Sequence, residues 1–148
     1  MLRFDGYYIY FEGQEKLDDY LEYVSKKDTL FSFIRFFENG KVVNSSINAR
    51  GHIKDIIEKV NNWLNESFSD QTGIYYLSNK NHISFDIISQ YGVVEYFGVI
   101  ESGDKIVLNT ISRINGHTSD NKPYLFHPLE KRVDFIDIAE DIWNEYKH

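Results

Sequence analysis

Between Thr72 and Ile114 the chain reads as four short strands in a row, and this run limits its folds more than any other feature. The strands are Gly73–Ser78, His82–Ser89, Val93–Ile100 and Lys105–Ile114, with turn residues at Asn79-Lys80-Asn81, Gln90-Tyr91-Gly92 and Ser102-Gly103-Asp104. The two outer strands of such a meander expose unpaired backbone, so the sheet must close on itself or be covered. Four further stretches can supply closure: Gly6–Glu12 (GYYIYFE), Leu30–Phe37, Val42–Asn48 and Tyr124–Leu129. Eight strands make an antiparallel up-and-down barrel the expected fold. It is mainly β and is expected as a single domain over residues 1–148. The 11 Tyr, 11 Phe and 2 Trp agree with this, because aromatic side chains suit a pleated, half-buried surface.

Three stretches change period from two to 3.6 and are expected as accessory helices, near 15–25, 52–66 and 133–146. Leu17, Tyr20, Leu21 and Val24 form the first apolar stripe. Ile53, Ile56, Ile57, Val60, Trp63 and Leu64 form the second, and Phe135, Ile138, Ala139, Ile142 and Tyr146 the third. Their expected role is to cap an open barrel end or cover an outer face.

Turn lengths then assign the inner face. Reading Asn39-Gly40 as the centre of a two-residue type I′ turn pairs Phe36 with Val43, Ile34 with Ser45 and Ser32 with Ile47. The inner face of this hairpin would be Leu30, Ser32, Ile34, Phe36, Val43, Ser45 and Ile47. The other would be Phe31, Phe33, Arg35, Phe37, Val42, Asn44 and Ser46. A two-residue Tyr91-Gly92 loop pairs Phe85 with Gly98 and Ile87 with Tyr96, giving an inner set without charge. His82, Asp86, Glu95 and Glu101 then fall outside. A three-residue turn at 102–104 places Ile106, Leu108, Thr110 and Ser112 inside.

Strand number, hairpin connectivity and a C-terminal helix resemble the calycin superfamily, whose familiar members are lipocalins and fatty-acid-binding proteins. Gly6-Tyr7-Tyr8 resembles the lipocalin Gly-x-Trp, with Tyr in place of Trp, and Arg113 resembles the arginine that packs over that ring. The first strand has no Trp, the Thr-Asp-Tyr turn is missing, and helices interrupt two strand connections. The likeness implies a barrel that binds an apolar molecule, at the level of fold.

Several functions are excluded or disfavoured. Without cysteine there is no disulfide, thiolate nucleophile or Cys-ligated metal. The five histidines (His52, His82, His117, His127, His148) form no pair at metal-ligand spacing, so no metal or cofactor is expected. No nucleophile elbow, phosphate-cradling loop or acid–base pair can be placed, and the chain reads as non-catalytic. The net charge is −7, with the acid surplus in residues 1–28 and 130–148 and no basic cluster, so nucleic acid is not an expected partner. No stretch has the length of a membrane span or the apolar core of a signal peptide, so a cytoplasmic protein with no membrane partner is expected.

Two functional readings follow. In the first, the hydroxyl-dotted interior binds a small, mostly apolar ligand without catalysis. Its site is formed by Ser32, Ile34, Phe36, Ser45, Phe85, Tyr96, Thr110 and Ser112. Otherwise buried water and neighbouring tyrosines satisfy those hydroxyls and the core is filled. In the second, Phe31, Phe33, Phe37, Phe97 and Val99 form an outer apolar patch in an acidic field. That patch would serve a protein-binding or inhibitory, immunity-type module with a basic partner, unless helices cover it.

Overall fold

The computed structural model describes residues 1–11, 29–49, 71–79 and 81–128. Within them the chain forms a closed barrel of eight antiparallel strands in sequence order. The strands are β1 (Gly6–Phe11), β2 (Thr29–Phe36), β3 (Lys41–Ala49), β4 (Thr72–Ser78), β5 (His82–Ser89), β6 (Gly92–Ser102), β7 (Lys105–Ser112) and β8 (Thr118–Pro128). β8 returns to pair with β1, from Gly6↔Pro128 to Ile9↔Leu125, and this removes both free edges of the meander. No helix occurs among the described residues. The three stretches expected as helices, near 15–25, 52–66 and 133–146, lie outside them.

β8 begins six residues before the expected Tyr124, inside what reads as a polar loop. Asn121 adopts φ 52°, a conformation Asn tolerates, and the pairing slips between Leu108↔Lys122 and Thr110↔Ser119. The Asn109 side chain spans the irregularity: its Oδ1 accepts from the Asn121 N–H at 2.9 Å and its Nδ2 donates to the Phe97 carbonyl at 3.2 Å. The polar residues of this stretch therefore build a bulged strand.

The β2–β3 turn corrects the expected register. Gly40 N–H donates to the Phe37 carbonyl (3.1 Å) and Phe37 N–H to the Lys41 carbonyl (2.9 Å), which makes the loop three residues long. Gly40 alone takes positive φ, at 94°, while Asn39 does not. This is a turn closed by a glycine bulge, so Phe36 pairs with Val42 and Ile34 with Asn44. A slip of one residue exchanges the faces of a strand. Val42, Asn44 and Ser46 therefore share the inner face with Ser32, Ile34 and Phe36, while Val43, Ser45 and Ile47 turn outward. In β5–β6 the loop is Gln90-Tyr91 and the pairing is Ser89↔Gly92 and Phe85↔Tyr96. That slide is by two residues, so the inner set of the hairpin is unchanged. The β6–β7 pairing, Tyr96↔Thr110 and Ile100↔Ile106, is the one implied by the three-residue turn.

The core lies along the barrel axis. Tyr8, Ile34, Phe36, Val42, Ile106 and Leu108 are fully buried there, joined by Ile83, Phe85, Ile87, Tyr96, Tyr124 and Phe126. The N-terminal residues fold over one end. Leu2 enters the core, Arg3 N–H donates to the Tyr8 hydroxyl (2.9 Å), and that hydroxyl donates to the Gly103 carbonyl (2.8 Å). The Arg3 guanidinium lies 4.0 Å from the Phe126 ring centroid and pairs with Asp5 and Asp104.

The outside of the barrel is not uniform. On β1–β3, Tyr7, Ile9, Phe31, Phe33 and Val43 point away from the axis and are nonetheless fully buried. β5 instead alternates strictly between buried and exposed residues. The barrel thus has a dry side around β1–β3 and a wetter one around β4–β7.

Two predictions follow from this packing. Gly98 lies between Ile83 and Leu108, and a Cβ there would fall on the Val107 carbonyl. Gly98→Val is expected to destabilise the chain by about 1–3 kcal/mol or more in chemical denaturation, because backbone must move to admit it. A near-neutral result would show that the β6–β7 approach is looser than described. His127 is buried on β8 opposite Tyr7, and burial pushes its pKa down from 6.5 to about 4. The unfolded chain then binds a proton near pH 6.5 that the folded chain refuses, so stability falls from that pH down to about 4 and levels off below it. His127→Gln should flatten the slope between those limits. An unchanged slope would contradict the burial of the ring.

Candidate functional site

Two places can carry function: the polar part of the interior and the outer wall of β4–β7. In the interior, Phe36 and Phe85 come from β2 and β5, which are not neighbours, and meet edge-to-face at 5.5 Å across the barrel. Phe85 stacks on Tyr96 at 4.8 Å with rings 8° apart, while Phe36 also meets Tyr75 and Tyr8 edge-on. Tyr8 in turn packs on Phe126 at 5.0 Å. An unbroken aromatic chain therefore runs from β8 through β1 and β2 to β5 and β6.

The hydroxyls tie to one another across the same space. Asn44 Nδ2 donates to the Tyr96 hydroxyl at 2.9 Å, joining β3 to β6. The Tyr124 hydroxyl donates to Ser32 Oγ at 3.1 Å, joining β8 to β2, and Thr110 shares a hydrogen bond with Ser119 at 2.6 Å. Burial raises the pKa of both Tyr96 and Tyr124 and keeps them neutral phenols, each able to donate and accept. The backbone N–H of Asn44 donates to the Gln71 carbonyl. Its Oδ1 is buried and has no hydrogen-bond partner among the described residues.

Set against the eight expected site residues, Ser32, Ile34, Phe36, Phe85, Tyr96, Thr110 and Ser112 lie on inner-face register positions. Phe36, Phe85 and Tyr96 come together in one ring cluster. Ser32 belongs to the Tyr124 bond, and Ser112 lies at the end of β7, where its Oγ accepts from Ile114 N–H. Ser45 is not inside: it pairs with Phe33 on the outer side, and Asn44 takes the inner place. Asn44, Tyr8, Tyr75 and Tyr124 are interior groups that the sequence reading did not assign. The alternation in β2 with the three-residue turn would have found Asn44. Arg113 is not over the first-strand ring. Its guanidinium bonds Glu95 Oε1 at 2.8 Å on the outside, and Arg3 packs on Phe126 instead.

The outer wall of β4–β7 carries Ile74, Tyr76, Ile88, Phe97, Val99 and Ile111, each between 38% and 66% exposed. Register places them together. Tyr76, Ser84, Phe97 and Asn109 are successive neighbours across four strands, and Glu95 sits between Asp86 and Ile111. Of the residues expected in an outer patch, Phe97 and Val99 are here, whereas Phe31 and Phe33 are fully buried on the dry side and Phe37 is half-buried. Beside Asp86 an open groove of about 690 Å³ runs over the wall, lined among others by Lys41, Ile74, Tyr76 and Ile88. The hydrogen bond from Arg113 holds Glu95 below the usual carboxylate range.

No family model, curated protein or solved structure matches this chain.

The interior bonds predict unequal costs for similar changes. Tyr96→Phe strips the Asn44 amide of its acceptor inside the barrel and is expected to cost about 1–3 kcal/mol in denaturant unfolding. Tyr76→Phe, on the exposed wall, should change stability by less than about 0.5 kcal/mol. Equal costs would contradict the inward placement of Asn44 and Tyr96.

Proposed function

We propose that this chain is a non-catalytic binding protein that docks another protein on the outer wall of β4–β7. The observation that carries the reading is the single continuous face on which Ile74, Tyr76, Ile88, Phe97, Val99 and Ile111 all remain exposed. Isolated apolar side chains on a surface are ordinary, but several sharing one sheet face form a patch that binding would remove from water. A β-sheet wall also holds its side chains in fixed positions, so little ordering is needed on association. A calycin-like chain with accessory helices near 15–25, 52–66 and 133–146 is part of the same proposal; the closed eight-stranded barrel speaks for the barrel and the apolar periodicity of the sequence for the helices.

A second reading keeps the small, mostly apolar ligand inside the barrel. The Asn44 Oδ1 favours it, since a ligand N–H or O–H would satisfy that buried acceptor. The cross-barrel contacts Phe36–Phe85 and Asn44–Tyr96 weigh the other way, because both occupy the space a ligand would need.

A pull-down from the native host with wild-type chain and with Phe97→Glu/Ile111→Glu tests the docking face. Both positions are more than a third exposed, so the double variant should keep its fold, with a stability change of about 1 kcal/mol or less. The expected result is a partner captured by the wild type and lost by the variant. Capture of the same proteins by both would place the interface elsewhere.

A further inference from the structure

We infer that the barrel end opposite the N-terminal residues is a second binding site, for a small organic acid whose carboxylate meets Lys122. The site is separate from the outer wall and does not rest on the docking face.

The two ends of the barrel are closed unequally. At one, Leu2 enters the core and Tyr8, Phe36, Ile106 and Phe126 are buried with it. At the other, the inner-face residues are polar and only half-buried: Ser32 on β2, Thr110 on β7, and Ser119 and Lys122 on β8. Buried Tyr124, one inner position deeper than Lys122, floors this opening. Further in, Phe36 and Phe85 meet across the barrel, so the opening admits a short molecule at its rim and no long chain.

Lys122 sets the charge of that molecule. Along the eight strands it is the one charged residue at an inner register position, opposite the core residue Leu108. Its ammonium stands 5.6 Å from the Tyr10 ring centroid, and no carboxylate pairs with it among the described residues. Asp120, the nearest acid along the strand, is exposed. An inward cation without a counter-charge gains most from an anion brought to it.

The neighbouring hydroxyls can complete the contact. Thr110 and Ser119 share one hydrogen bond at 2.6 Å, so one of the two keeps its own proton to donate. Ser32 Oγ accepts from the Tyr124 hydroxyl and keeps its proton too. A carboxylate can take the ammonium on one oxygen and a hydroxyl proton on the other. Its apolar body then lies against Tyr10 and against Leu30, which holds an inner position near the start of β2 and is 53% exposed. One lysine matches a monoanion, whereas a phosphate dianion would keep an uncompensated charge.

So few contacts hold a small ligand in the millimolar range, and it leaves on dialysis. The probe is sodium benzoate, titrated into the isotope-labelled full chain and followed by amide chemical shifts. Benzamide serves as the uncharged match and sodium chloride as the ionic control. Saturable shifts are expected around Tyr10, Thr110 and Lys122, and neither control should produce them. Lys122→Gln should weaken benzoate about tenfold, as loss of a hydrogen bond to a charged group does, and Lys122→Arg should restore it. Lys122 is half-buried at the rim, and the same spectra report whether each variant keeps its fold. Phe97→Glu/Ile111→Glu, on the outer wall, should leave benzoate binding unchanged whether or not that wall docks a protein. Equal binding of benzamide, shifts that never saturate, or indifference to Lys122→Gln would overturn the site. Loss of benzoate binding in Phe97→Glu/Ile111→Glu would also overturn it, by moving the acid to the outer wall.

Discussion

The contact between Phe36 and Phe85 is the one on which the rest of this barrel depends. The two rings come from strands three apart in the wall and meet near its axis at 5.5 Å. Everything packed round them is fixed by that meeting: Tyr75 and Tyr8 edge-on to Phe36, Tyr96 face-on to Phe85, and Phe126 against Tyr8. An eight-stranded barrel is just wide enough to be filled by side chains or to hold one small ligand. Six large aromatic residues linked by five ring contacts favour the first outcome. The polar groups follow the same logic, since Asn44 reaches Tyr96 and Tyr124 reaches Ser32 across the interior.

A filled interior moves attention to the outside, which the strands divide unequally. The outward Tyr7, Ile9, Phe31, Phe33 and Val43 of β1–β3 are fully buried, so those side chains are committed to structure. β4–β7 bury one face and present the other, and on the presented face exposed apolar residues alternate with polar ones such as Ser84 and Asn109 around a carboxylate pair. A wall rigid enough to close a barrel is also a rigid platform for a partner. In this chain the same strand alternation that fills the core therefore also presents the proposed docking surface.

Much of this could be read from residues. The number of strands, their order and the inner faces of β5, β6 and β7 follow from turn spacing and from the placement of charge. The β2–β3 register could not be settled that way, for a physical reason. Asn-Gly serves equally at the centre of a two-residue turn and before the bulge of a three-residue one, and the two differ by one residue. Burial of Val42 or Val43 would normally decide, but the start of β3 is dry on both sides and both are fully buried. The choice fell to Gly40, and it placed Asn44 inside and Ser45 outside. β8 was hidden differently: Thr118 to Lys122 are polar because they pair at a bulged, solvent-facing end, where composition resembles that of a loop. The exposed outer wall was half visible through Phe97 and Val99. Ile74 and Ile88 needed the three-dimensional register to join them.

The central claim is that the barrel is filled by its own side chains and works through its outer wall. Native mass spectrometry of freshly purified chain tests it most directly. The account predicts the mass of the bare polypeptide, with no small molecule retained under conditions that preserve the fold. A co-purified molecule retained by the wild type and lost on Asn44→Leu would contradict it and place the function inside the barrel.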